Sequence, residues 1–109
     1  MTLEQTLAAH RTVVAAFGSP WCAPCRALEH ALERELPEGS PVAHVHVDIT
    51  ASPDTALAYR ITATPTLVGF VDGRPVLTRV GFSSVQGLRS FLGDLERVSS
   101  SGAERPHRR

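Results

Sequence analysis

The stretch that decides the fold is residues 18–26, Gly-Ser-Pro-Trp-Cys-Ala-Pro-Cys-Arg. Before it, residues 12–17 (TVVAAF) form an apolar run of strand length, which is typical of a buried strand. After it, apolar side chains recur at positions 28, 31, 32 and 36, which is the spacing of one helical face. The two cysteines of the chain, Cys22 and Cys25, therefore stand where a strand gives way to a helix.

The position of Cys22 near a helix N-terminus favours thiol chemistry. Free backbone N–H groups and the positive end of the helix dipole stabilise a thiolate there, and Arg26 adds positive charge. Cys25 follows one helical turn later, so its side chain can reach back to Cys22, and we expect it to be more buried. Pro24 suits the first turn, because its missing N–H would have no partner within the helix. We therefore predict that Cys22 attacks a disulfide and that Cys25 resolves the mixed disulfide.

The remaining segments alternate between helix and strand. In chain order they predict helix, strand, helix, strand, strand and helix, at residues 2–10, 42–48, 53–59, 67–71, 75–80 and 85–95. Asp72-Gly73 is a strong hairpin signal between the last two strands. Strands separated by helices pair in parallel, and the hairpin adds an antiparallel strand. The sequence thus predicts a three-layer α/β fold, with a mixed four-stranded sheet between helices on both faces.

Length and composition are those of one small domain. The chain has 109 residues, of which 42% are hydrophobic and 20% charged. Eleven basic residues, all arginine, balance eleven acidic ones, so we expect neither nucleic acid nor an anionic membrane surface as a partner. We also expect no membrane span, because no apolar stretch reaches the roughly 18 residues that one requires.

The two ends of the chain bear on its location and domain limits. Residues 1–10 lack the basic head and apolar run of a secretory signal, and two cysteines three positions apart do not form a framework of structural disulfides. We therefore expect a cytoplasmic protein. Residues 1–98 are predicted to form the domain, and the polar, Ser- and Arg-rich residues 99–109 a disordered tail.

From Val13 to about Leu95 the chain resembles the thioredoxin family. Residues 21–25 (WCAPC) are similar to the family's W-C-G-P-C motif, and residues 64–66 (TPT) to its cis-proline loop. The two motifs together are much more specific than either alone. The resemblance implies a thioredoxin-like fold and a thiol–disulfide oxidoreductase that acts on disulfide-containing proteins, and the expected cytoplasmic setting favours the role of a reductant. It also implies a redox-active Cys22–Cys25 disulfide in place of any metal or organic cofactor, and a thioredoxin-reductase-like electron donor.

The same resemblance implies a substrate-binding surface. The Thr64–Pro65 bond should be cis, with Pro65 against the cysteines and the neighbouring backbone pairing with a substrate peptide. Trp21, Pro65 and Gly81 would frame an apolar docking surface around Cys22. Thr64 stands where typical thioredoxins have Ile, and its hydroxyl would lie near the sulfurs.

The sequence departs from the family at two places that matter here. Ala16 occupies the position of a buried Asp, and His44 that of its Lys partner, so we consider His44 as the group that takes the proton of Cys25. A solvent-facing strand histidine is the alternative interpretation. We also expect no counterpart of the first strand of typical thioredoxins, which leaves residues 42–47 at a lateral edge of the sheet. An open edge predicts a weak homodimer.

Two other functions stay open from the residues alone. His44 and His46 alternate on one strand and share a face, so with the two cysteines they could form a zinc module of the Cys2His2 type. A thioredoxin-fold subunit that binds proteins without turnover is the second alternative. We favour redox chemistry with no metal site, because Trp21 and Pro24 suit a redox helix and both cysteines are retained.

Overall fold

Helices and strands alternate through residues 1–102, the part of the chain that this computed structural model describes. The elements are, in order, α1 (Leu3–Ala9), β1 (Thr12–Gly18), α2 (Ala23–Glu35), β2 (Ala43–Asp48), α3 (Pro53–Ala58), β3 (Thr66–Val71), β4 (Arg74–Val80) and α4 (Val85–Gly102). In this part of the chain no helix is both long and apolar enough to cross a bilayer.

The four strands form one mixed sheet in the order β2-β1-β3-β4. Strand β1 runs parallel to β2, because α2 carries the chain from the end of one to the start of the other. The pairs β1/β3 and β3/β4 are antiparallel. Asp72 and Gly73 join β3 to β4 with positive φ angles of 53° and 80°, which is the backbone that a tight hairpin requires. The predicted sheet is confirmed.

Each face of the sheet carries its own hydrophobic cluster, since the side chains of β1 alternate between the two faces. Val14 and Ala16 pack against α2 and α4, where the buried partners are Leu28, Ala31, Leu32, Leu88, Phe91 and Leu95. Val13, Ala15 and Phe17 face the other way and pack with Leu3 of α1, the valines of β2 and Phe70. The three-layer arrangement predicted from the sequence is therefore confirmed.

Helix α1 is held by a capping box at its first residue. The Thr2 hydroxyl accepts a hydrogen bond from the Gln5 N–H at 3.1 Å, and the Gln5 side chain accepts one from the Thr2 N–H at 3.0 Å. Leu3 is buried, so the helix packs on the face of the sheet formed by β1 and β2. In the described residues α1 precedes β1, and β2 is a lateral strand of the sheet.

The last helix continues beyond the predicted end of the domain at residue 98. Helix α4 runs to Gly102, whereas the apolar stripe in the sequence predicted a helix only over residues 85–95. The reason is a tertiary contact that local sequence does not reveal. Arg11 Nη2 donates to the Ser99 carbonyl at 3.0 Å, and the hydroxyls of Thr12 and Ser99 are 3.0 Å apart. The rest of the predicted tail, residues 103–109, lies outside the described residues.

Candidate active site

Four strand termini meet at one end of the sheet. Strand β1 ends at Gly18 opposite Asp48, the last residue of β2. Strand β3 begins there with Thr66, which pairs with Phe17 on one side and with Val80, the last residue of β4, on the other. The segments that follow or precede these residues contain the two cysteines, Pro65 and Gly81. The topology therefore brings together two motifs that are about forty residues apart in the sequence.

Cys22 is the N-cap residue of α2, with φ −98° and ψ 107°. Its carbonyl accepts the N–H groups of Cys25 and Arg26 at 3.1 and 3.2 Å. Its sulfur accepts the Cys25 N–H at 3.3 Å, so it lies at the positive end of the helix dipole. Pro24 stands in the first turn, where an N–H is not needed. Cys22 and Cys25 are joined by a disulfide, with their Cα atoms 5.2 Å apart.

The two cysteines differ in their exposure to solvent. Trp21 is 81% exposed, Cys22 is partly buried, and Cys25 is only 2% exposed. Gly18 closes the site from the strand side, because a Cβ at this position would lie 3.0 Å from both Cβ and Sγ of Cys25. One sulfur of the pair is therefore open to a partner and the other is enclosed by the protein.

Arg26 anchors the segment that leads into α2. Its Nη1 donates to the Pro20 carbonyl at 2.9 Å, across the start of the helix. The Cys22 N–H is bonded to the Ser19 carbonyl at 3.3 Å. These two bonds fix the turn that presents Cys22, and the Arg26 bond adds a positioning contact that the sequence did not predict.

The Thr64–Pro65 peptide bond is cis, as the resemblance implies. Pro65 is buried and Thr64 partly buried. The Pro65 carbonyl accepts the Gly81 N–H at 2.8 Å, and Gly81 has φ +92°, a backbone conformation that glycine adopts without strain. The antiparallel register of β1 and β3 ends with Phe17 opposite Thr66, so Gly18 and Pro65 are the residues that adjoin this last pair.

Comparison with known proteins agrees with this geometry. The family model described as Thioredoxin matches residues 2–94. The chain is 38% identical over 87 residues to Thioredoxin C-2 of Corynebacterium nephridii, covering 79% of this chain and 81% of that protein. It is 35% identical over 81 residues to the thioredoxin of Bacillus subtilis (strain 168), covering 73% and 78%. The chain belongs to the thioredoxin family.

Solved structures show the same relationship. A mutant thioredoxin from Halobacterium salinarum NRC-1 matches with a TM-score of 0.77 and 30% identity, over 85% of this chain and 81% of that one. The oxidised mitochondrial thioredoxin 3 of Saccharomyces cerevisiae matches with a TM-score of 0.73 and 27% identity, over 83% and 84%. This thioredoxin-family protein is thus a thiol–disulfide oxidoreductase. Thioredoxins act on disulfide-containing proteins and need no added cofactor, since the redox-active disulfide is the catalytic group.

A cleft of about 320 Å³ lies beside the disulfide of this thioredoxin-family enzyme. Gly18, which touches Cys25, forms part of its wall. Glu29 and His46 line the opposite part, with Glu29 Oε2 and His46 Nδ1 4.0 Å apart. Glu29 was not predicted as a site residue, although its spacing, one helical turn after Cys25, was available as a signal, and His46 was considered only as a zinc ligand.

His44 does not line this cleft. It pairs with Val14, whereas His46 pairs with Ala16, which stands where the family has its buried Asp. The two imidazole rings touch edge to face, with their centroids 5.3 Å apart. The pKa of His44 is lowered from its usual value of 6.5, first by burial and then by the neighbouring His46. The topology therefore places the segments with the other predicted site residues at the end of the sheet where β1 and β4 end and β3 begins, whereas His44 lies two residues before His46 on β2.

The zinc alternative finds no donor set in the described residues. Through residues 1–102, no three side chains of His, Cys, Asp or Glu lie close enough together to hold a metal ion. His44 and His46 contact each other on β2 and are not joined to the cysteine pair as a third and fourth ligand. The arrangement favours the redox function over a zinc module.

Proposed function

We propose that this enzyme reduces protein disulfides, with Cys22 as the attacking thiolate and Cys25 as the resolving thiol. The observation that carries the proposal is the asymmetry of the pair at the start of α2. The Cys22 sulfur accepts a backbone N–H at the positive end of the helix and remains partly open, while Cys25 is 2% exposed. A substrate disulfide can therefore approach Cys22 and not Cys25.

The reaction divides into two exchanges. In the reduced enzyme, the Cys22 thiolate attacks one sulfur of the substrate disulfide, and the other substrate sulfur leaves as a thiolate. Cys25 then loses its proton and attacks Cys22 Sγ, which forms the Cys22–Cys25 bond and releases the second substrate sulfur. Two electrons pass from the cysteine pair to the substrate. A thioredoxin-reductase-like donor must return them for each further turnover.

Substrate docking falls to the exposed surface around Cys22. We include Trp21, Pro65 and Gly81 in this surface, with Thr64 next to the sulfurs. The 81% exposure of Trp21 supports the proposal. An aromatic side chain that is so exposed contributes little to the stability of the free protein, and such residues often anchor binding partners. Val80, which precedes Gly81, is 64% exposed and extends the apolar area. The backbone beside Pro65 would pair with an extended substrate segment as a short added strand.

The direction of electron transfer and the cellular compartment of the enzyme are linked in this proposal. The chain has two cysteines and both belong to the redox pair, which fits a reducing compartment better than an oxidising one. We therefore assign the enzyme to the cytoplasm and to the reductive direction. Measurement of the reduction potential of the pair against glutathione would check the direction, and a potential close to that of strong oxidants would contradict it.

The test of the reaction is insulin disulfide reduction with dithiothreitol as electron donor, using the full chain and two matched variants. Wild type should turn over, and Cys22→Ser should lose all turnover because no nucleophile remains. Cys25→Ser should accumulate a covalent mixed disulfide with the substrate, visible by mass and released by reductant. Absence of turnover in a folded wild type, or a mixed disulfide trapped by Cys22→Ser instead, would contradict the assignment of roles.

We also propose a weak homodimer through β2, because the two lateral strands of the sheet differ in protection. Strand β4 carries Arg74, Pro75 and Arg79, and a β-bulge interrupts its pairing between Gly69 and Phe70 of β3. Strand β2 (AHVHVD) has no Pro, Lys or Arg and an unbroken register. Sedimentation velocity should show association at high protein concentration, and a monomer throughout would contradict this proposal.

A further inference from the structure

The second exchange raises a question about protons that the cysteines alone do not answer. Cys25 must lose its proton to attack Cys22, yet it is 2% exposed and Gly18 and the core enclose it. On the strand next to it, Ala16 is buried and offers only a methyl group. Gly18, where an added Cβ would lie 3.0 Å from Cys25 Sγ, also lines the cleft that contains Glu29 and His46, so this cleft offers a route for the proton.

The cleft contains one pair of side chains suited to this task. Glu29 follows Cys25 by one turn of α2, and positions i and i+4 of a helix lie on the same face. His46 lies opposite Ala16 on β2, with its Nδ1 4.0 Å from Glu29 Oε2. The side chains are 32% (His46) and 44% (Glu29) exposed, so water reaches both. Imidazole is the side chain suited to take up and release a proton near neutral pH, and a carboxylate at this distance can orient it.

We propose that His46, supported by Glu29, accepts the proton of Cys25 during resolution, through water in this cleft. The proposal rests on the proposed roles of Cys22 and Cys25. The proton passes from Cys25 Sγ to His46, and the resulting Cys25 thiolate forms the bond to Cys22 while the substrate thiolate leaves. His46 then returns its proton to bulk solvent. His46 acts on Cys25 through water, and Glu29 acts through His46 as a positioning residue.

The surrounding charges favour this role for His46 over His44. Asp48 also lines the cleft, and its pKa is lowered by hydrogen bonds from the Thr50 hydroxyl and N–H, so it stays ionised and favours an imidazolium. Arg26 lines the cleft too, and its positive charge opposes one. Burial lowers the pKa of His44, which makes His44 the poorer proton acceptor of the two.

Two more groups approach these histidines from other elements. His10, which follows α1, shares a second shallow cleft with His44 and His46 at the lateral side of β2. Glu33, one turn after Glu29 on α2, interacts electrostatically with His44 and raises its pKa against the effect of burial. Glu33 does not line the cleft beside Cys25. Glu33 and His44 thus form a matched pair of neighbours outside the proposed proton route.

The experiment follows both exchanges in one absorbance measurement over time. Reduced full-length enzyme is mixed with dithiobis(nitrobenzoate), which releases one coloured thiolate when Cys22 attacks and a second when Cys25 resolves. The first phase depends on reagent concentration and the second does not. His46→Gln and Glu29→Gln should slow the second phase by about tenfold, less than a directly bonded base contributes, and leave the first unchanged. The control Glu33→Gln should leave both phases close to wild type, and a slowed second phase in His44→Gln but not in His46→Gln would overturn the assignment to His46.

The pH dependence separates a proton acceptor from a structural contact. In wild type the second phase should slow as pH falls through the range in which imidazole protonates, and His46→Gln should lose that step. Glu29→Asp should recover part of the rate that Glu29→Gln loses. An unchanged second phase and pH profile in both His46→Gln and Glu29→Gln would overturn the proposal. A wild type without a first phase would instead refute the role of Cys22.

Discussion

The outer and inner halves of the active-site turn differ more than their separation in sequence suggests. Trp21 and Cys22 face solvent, with Trp21 81% exposed. Cys25 is 2% exposed and in contact distance of Gly18, and Leu28 behind it is fully enclosed in the core. One helical turn rotates the chain from surface to core. The difference teaches that binding and stability depend on separate sets of residues here, so substitutions should affect one and spare the other.

The largest effect on stability should come from the inner half. Leu28→Ala removes a buried side chain in the cluster between the sheet and α2, so the free energy of unfolding should fall by about 3 kcal/mol. Urea denaturation followed by circular dichroism measures it. Leu57→Ala is the matched control, because Leu57 is 77% exposed and its truncation should change the free energy by less than about 0.5 kcal/mol. Equal losses in the two variants would remove the distinction between core and surface.

Gly18→Ala sharpens the comparison at the contact between strand and sulfur. The added methyl would come 3.0 Å from Cβ and Sγ of Cys25, and the free energy of unfolding should fall by about 1–3 kcal/mol. Gly87→Ala in α4 is the control, because its methyl would meet only Ser84 Oγ, at 3.5 Å. Alanine is the better helix former, so that variant should be more stable by about 0.5–1 kcal/mol. A fully stable Gly18→Ala protein would show that β1 can move away from Cys25.

Local sequence was sufficient to predict most of this turn. The strand before Cys22 and the helix after it follow from apolar spacing, and the N-cap geometry of Cys22 follows from where the two meet. Helix α1, predicted from two leucines, is confirmed with Thr2 as its cap. The cis bond before Pro65 was implied by the family resemblance. Local sequence alone would predict a trans bond, which is the more common form for any X–Pro pair.

Features that depend on register or on distant contacts could not be predicted. Whether His44 or His46 lies opposite Ala16 depends on how β2 slides along β1, and a parallel pair joined through a helix carries no local signal of that offset. The end of α4 was misjudged for a related reason, since Ser99 is held by Arg11 and Thr12 from the other end of the chain. Glu29 was overlooked because its partner is on another element.

Trp21→Ala tests the outer half of the comparison. Because the side chain is 81% exposed, the free energy of unfolding should change by less than about 0.5 kcal/mol. If Trp21 docks substrates, kcat/KM for insulin reduction should fall by about fivefold to tenfold, mainly through KM, which corresponds to about 1 kcal/mol. The reaction of Cys22 with a small disulfide, which needs no docking, serves as the control and should keep its rate. A stability loss without a kinetic one would make Trp21 a packing residue.

The smallest expected effect is on the pH dependence of stability. It comes from His44 on β2, which is more buried than its neighbour His46. The pKa of His44 is lowered in the folded protein, chiefly by burial, so between that pKa and the unfolded value of 6.5 the unfolded chain binds the additional proton. The contribution of His44 to the free energy of unfolding is fully present above pH 6.5 and is lost as the pH falls below this value. The free energy of unfolding should therefore decrease on acidification. His44→Gln should flatten this slope in urea titrations, while His30→Gln, at an exposed position of α2, serves as the control. Equal slopes in wild type and His44→Gln would mean that folding does not disfavour the charged form of His44.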